Sequence, residues 1–153
     1  MEQLPALKAL LAYRNPRVVQ KFQREFPQVT TDANALFSEL LKYLWLAQKQ
    51  RLERNQAPQD DNLDFLLAIY DDMIHIDQLW HCFILCTKDY VEFCDCYFGR
   101  YMHHVPDAFD SLPPTKEKFA ADLEKFASYV YDHLGIETVQ TWFGLKRIEE
   151  HEG

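Results

Sequence analysis

Apolar residues recur through most of the chain at the three-and-four spacing of helices. Leu4, Leu7, Leu10 and Leu11 open the pattern, and Asn15-Pro16 interrupts it with a capping residue and a proline suited to a first helical turn. Val18, Val19, Phe22 and Phe26 make the next stripe, which stops at Pro27. Thr30-Thr31-Asp32 then supplies a cap for the longest predicted helix. Its apolar face runs through Leu36, Phe37, Leu40, Leu41, Leu44, Trp45 and Gln48 and gives way to polar residues from Gln50 to Asn55.

Residues Asn55 to Asn62 are polar, contain a proline and have no period, so they read as an exposed loop ending in an Asp cap. Leu63, Phe65, Leu66, Leu67, Ile69 and Tyr70 are apolar on nearly every side, the pattern of a buried helix, with a short strand as the alternative. A helix from His75 to Cys86 follows. Thr87 is placed as the cap of another, in which Tyr90, Cys94 and Phe98 share a face and Gly99 marks the end. Leu112-Pro113-Pro114 reads as a stiff linker and Thr115 as a cap. Phe119, Leu123, Phe126, Val130 and Leu134 then repeat at helical spacing up to Gly135. Ile136, Val139, Trp142 and Phe143 form a last amphipathic turn or two before a charged tail, Glu149 to Gly153. With no Asn-Gly or Asp-Gly hairpin signal, the expected architecture is all-α: an irregular bundle of about six or seven helices, in a single domain over residues 1–153.

Composition narrows the classes. The 153 residues are 48% hydrophobic with only 4 Gly and 7 Pro, enough to build a core without covalent staples. A formal net charge of -8 repels polyanions, so nucleic acid and anionic membrane are disfavoured as partners, leaving an unidentified protein or small molecule. No stretch reaches the roughly 18 apolar residues of a spanning helix. The N-terminal segment lacks the basic region of a secretory leader. Four cysteines, at 82, 86, 94 and 96, crowd one segment instead of framing a loop-rich chain, so reduced thiols in the cytoplasm, or metal ligands, are expected.

The segment from His75 to Pro106 is where chemistry would lie. Asp77 and His81 stand four apart, one helical turn, within hydrogen-bonding range of each other. Zinc takes imidazole, thiolate and carboxylate donors, and His81, Cys94 and His104, with Asp77 or His103 as fourth ligand or outer partner, could supply them. Adjacent His103 and His104 point different ways in any regular element, so one of the two would serve. No CxxC, HExxH or HxxxH spacing is present. The competing reading makes Asp77 and His81 a structural pair, and Cys82, Cys86 and Cys94 small core hydrophobes, in a protein-interaction module. Two minor alternatives are a metal-dependent hydrolase or oxygenase and a thiol nucleophile, Cys94 or Cys96, served by a histidine that Asp77 orients. Tyr90, Phe93, Tyr97, Phe98 and Tyr101, at helical spacing, read as packing before they read as a pocket.

The string Asp77-x-x-Trp80-His81-x-x-Ile84-Leu85-x-Thr87-x-x-Tyr90-x-x-x-Cys94-x-x-x-Phe98-Gly99-x-x-x-His103-His104-x-Pro106 resembles the signature of the glycine-rich domain-containing protein family. That family includes plant proteins with a glycine-rich tail and small bacterial relatives without one. The resemblance implies that Asp77, His81, Cys94, His103 and His104 are the polar core of whatever the domain does, and it brings no settled reaction. Members often resemble Trp-His-x-His where this chain has Phe83 in place of the second histidine, and the glycine-rich tail is missing.

Overall fold

A computed structural model describes residues 1–104 and 115–144. The predicted linker at Leu112-Pro114, the motif's last position, Pro106, and the tail from Glu149 lie outside the described residues. Within them the protein is all-α, with seven helices and no strand: α1 (Leu7–Leu11), α2 (Pro16–Glu25), α3 (Ala33–Gln56), α4 (Ile74–Leu85), α5 (Thr87–Phe98), α6 (Lys116–Leu134) and α7 (Ile136–Phe143). Backbone contacts gather the chain into two compact units. The first holds Met1–Lys49 and Ile74–Met102, the second Gln50–Met73 and the chain from His103 onward.

Local chemistry sets most of the boundaries. Asn15 accepts a side-chain hydrogen bond from the Val18 amide, with Pro16 at the first helical position of α2. Asp32 accepts from the Asn34 amide at the start of α3. Thr115 accepts from the Lys118 amide at the start of α6, and Gly135 closes that helix. Thr87 departs from expectation: it is the first residue of α5, and the capping position falls to Cys86, whose side chain makes no cap bond. A helix that starts one residue after another ends has no room for a separate cap.

In the first unit α3 is buried from several directions. No residue from Leu36 to Lys49 is exposed, so the single apolar face read from the sequence is too narrow a description. Phe37, Phe83, Phe93 and Tyr13 pack ring against ring, with centroids 4.8 to 6.2 Å apart. The N-terminal residues are held by the end of α5. The Gln3 amide donates to the Phe98 carbonyl, and its side chain donates to those of Cys96 and Tyr97, which satisfies carbonyls that a helix end leaves open. Gly99 terminates α5 at φ 69°, with the Met1 carbonyl oxygen 1.9 Å from where a Cβ would stand.

In the second unit the segment read as a buried helix or short strand is neither. Leu63 ends a 3-10 turn (Asp61–Leu63), residues 64–70 are irregular, and a second turn (Asp71–Met73) follows. The cause is visible in the hydrogen bonds. The buried Gln50 side chain of α3 donates to the carbonyls of Leu63 (3.0 Å) and Phe65 (2.9 Å), and Lys125 of α6 donates to that of Asp64. Neighbouring helices thus supply partners that a helical or sheet ladder would have provided. Phe65 and Tyr70 pack on Phe126, while Leu66 to Tyr70 are only half-buried.

Candidate functional site

Most of the motif occupies α4 and α5 of the first unit, where its buried polar atoms converge on Tyr90. Trp80 of α4 donates its indole N–H to the Tyr90 hydroxyl at 3.0 Å, and that hydroxyl donates to the Met102 carbonyl at 2.5 Å. The Cys94 sulfur, one turn further along α5, lies beside the same hydroxyl and the Met102 backbone. Tyr90 is fully buried, and Trp80, Cys94 and Met102 nearly so. The knot ties α4, α5 and the chain leaving α5. Burial raises the Tyr90 hydroxyl well above its ordinary range, so it remains a neutral donor.

Cys94 is likewise pushed up from the ordinary thiol range, chiefly by burial, against the lowering pull of the Met102 backbone, Tyr90 and Arg100. That is the opposite of the depressed pKa a cysteine nucleophile needs. Cys96 is exposed, and Cys82 and Cys94 are buried. Cys82 reaches Glu25 of α2, its sulfur 3.4 Å from Oε2, and burial together with that carboxylate pushes the thiol up to about 12. Lys21 closes the other side of Glu25 at 2.7 Å.

The other expected ligands are spread out. His81 is exposed. Asp77 lies half-buried in the first turn of α4. His103 is exposed and His104 half-buried, and both belong to the second unit, whereas Asp77, His81 and Cys94 belong to the first. Among the described residues no three His, Cys, Asp or Glu side chains are grouped so as to hold a metal ion. The physical reason is rotational: one turn of α4 places Trp80 inward and His81, the next residue, outward.

Phe83, which interrupts the resemblance, is fully buried against Tyr90 and Phe93 at 4.9 and 5.0 Å between centroids. Of the motif aromatics, Tyr90, Phe93 and Phe98 therefore pack the core, as their spacing suggested, while Tyr97 is half-buried and Tyr101 exposed. Trp80 and Met102 were missed as members of the polar centre. An indole beside a tyrosine on a facing helix was the available signal for the first, and a backbone carbonyl leaves no signal in a sequence.

A second concave feature lies wholly in the second unit. A groove of about 600 Å³ runs between the end of α3 and α6, with Glu53, Asp60, Glu124, Lys125, Tyr129, Asp132 and His133 among its lining. The Tyr129 hydroxyl donates to Glu53 across its base.

Compared with known proteins, the chain matches a family model described as UCP032817-like over residues 70–121, a span that contains the whole segment from His75 to Pro106. No curated protein and no solved structure matches. No helix among the described residues is long and apolar enough to cross a membrane.

Proposed function

We propose that this protein is a non-enzymatic binding module whose motif is a structural clamp. The observation that carries this reading is the buried chain Trp80 Nε1–H, Tyr90 O–H, Met102 C=O, with Cys94 beside it. Its polar groups are spent on one another, which fixes α4 against α5 and leaves none of them directed at a ligand. A catalytic reading would need an activated nucleophile or an open metal position in a pocket, and the knot contains neither. The working surface then lies elsewhere in the molecule. Four free thiols, two of them buried, are in keeping with a reducing compartment such as the cytoplasm.

The rival reading is a zinc-like centre drawn from Asp77, His81, Cys94, His103 and His104, favoured by the crowding of soft and borderline donor types in one motif. Elemental analysis of untagged protein purified without chelator separates the two. The binding-module reading expects metal well below one equivalent, and an unchanged melting temperature on adding chelator. About one equivalent of zinc or iron, lost in both His81→Ala and Cys94→Ala, would overturn it.

A further inference from the structure

The groove of the second unit is built by three stretches of chain whose charges are mostly negative. On α6, Glu124, Ser128 and Asp132 recur every fourth residue along one edge, and Lys125, Tyr129 and His133 form the adjacent stripe. The opposite wall is Glu53, Gln56 and Ala57 at the end of α3, and Asp60 stands on the loop beyond. Four carboxylates thus face one lysine, and Lys125 already pairs with Asp61 at 3.3 Å and donates to the Asp64 carbonyl. Glu124 and Asp132 make no ion pair among the described residues. Both helices end at this groove, α3 at Gln56 and α6 at Leu134, so their carbonyl ends add partial negative charge. Tyr129 and His133, edge to face with centroids 4.4 Å apart, give the wall an apolar part.

We propose that this groove is the docking site for a basic peptide segment of a partner protein, with two arginine or lysine side chains seated at the Glu124 and Asp132 ends of α6. A compact metal ion does not fit, because it needs three donors at one point, and no such group occurs among the described residues. Spaced carboxylates suit a spaced dication. Glu124 and Asp132 stand eight residues apart on one helix face, roughly 12 Å at the helical rise. An extended peptide covers about that distance in four residues, and side chains four apart share a face, so the fitting segment carries two basic residues separated by three others. Arginine suits the carboxylates through its paired N–H donors, and its methylene stem suits the Tyr129–His133 wall. The inference rests on reading the protein as a binding module and names that module's partner chemistry.

The test is a titration of the intact protein with an acetylated, amidated hexapeptide carrying two arginines separated by three uncharged residues, followed by amide and tyrosine NMR shifts. Its counterpart with citrulline at both positions has the same shape and no charge. The expected result is saturable shifts confined to the groove, weakened by salt, with the citrulline peptide at least about tenfold weaker, equivalent to about 1.4 kcal/mol. Glu124→Gln/Asp132→Asn should weaken the arginine peptide about tenfold, and the charge-matched Glu92→Gln/Asp95→Asn on α5 should not. Both double variants alter exposed side chains, and an unchanged helical spectrum checks that they fold. Equal binding of the citrulline peptide, undiminished binding by the groove variant, or no saturable shift at millimolar peptide would each overturn the proposal. The metal analysis described above fails or succeeds independently of this titration.

Discussion

Replacing Tyr90 by Phe removes a single oxygen from the centre of the motif and asks whether the knot is structural. The ring stays in place among Phe83, Phe93 and Tyr101, so packing is preserved. The Trp80 indole N–H loses its acceptor and the Met102 carbonyl loses its donor, both in a buried setting. Leaving a buried polar group unmatched costs about 1–3 kcal/mol, and the hydroxyl itself no longer has to be desolvated, so the expected loss is about 2–3 kcal/mol. Urea unfolding followed by circular dichroism at the helix band measures it. The sharper form is a double-mutant cycle with Trp80→Phe. In that background the indole donor is already absent, and Tyr90→Phe should cost only about 1 kcal/mol, a coupling of 1–2 kcal/mol. A loss under about 0.5 kcal/mol in the single variant, or strict additivity in the cycle, would refute the claim that these two groups act as one buried unit.

Other outcomes follow from the same contacts. Gly99→Ala places a Cβ on the Met1 carbonyl at positive φ. It should lose at least about 1–2 kcal/mol from the backbone conformation alone, seen as a lower melting temperature, and an unshifted melt would contradict the left-handed conformation at Gly99. Gln50→Leu leaves the carbonyls of Leu63 and Phe65 without their donor. Stability should fall by roughly 2–3 kcal/mol, with faster protease cleavage within 64–70, and an unchanged digestion pattern would contradict the role given to that amide. Alkylation at neutral pH, read by peptide mass, should modify exposed Cys96 ahead of buried Cys82 and Cys94. Comparable rates at Cys94 would restore it as a nucleophile candidate. Because the folded Cys82 thiol titrates near 12 against an ordinary 9.0, its contribution to stability is complete below pH 9 and is lost as pH rises from 9 toward 12. Cys82→Val should flatten that alkaline loss, and an identical pH profile would show the thiol to be uninvolved.

What the sequence determined was local. Helix spacing, the caps at Asn15, Asp32 and Thr115, and the stops at Gly99 and Gly135 are set by residues within a turn or two of one another, and each is found where its chemistry requires. The helical identity of α4 and α5 and the burial of their aromatics were legible for the same reason. Three things depended on tertiary structure. Residues 64–70 look apolar enough for a helix, yet they are irregular, and at their start Gln50 and Lys125, from other elements, take the carbonyls of Leu63, Asp64 and Phe65. The polar centre of the motif passes through Trp80, Tyr90 and the Met102 carbonyl and leaves His81 outside, because the rotation of α4 about its axis is fixed by packing against its neighbours and the list of polar residues cannot supply it. The acidic groove of the second unit joins Glu53 to Glu124 and Asp132, a pairing across some seventy positions. In the sequence those carboxylates are three ordinary solvated charges, and only the approach of two helix ends turns them into one field.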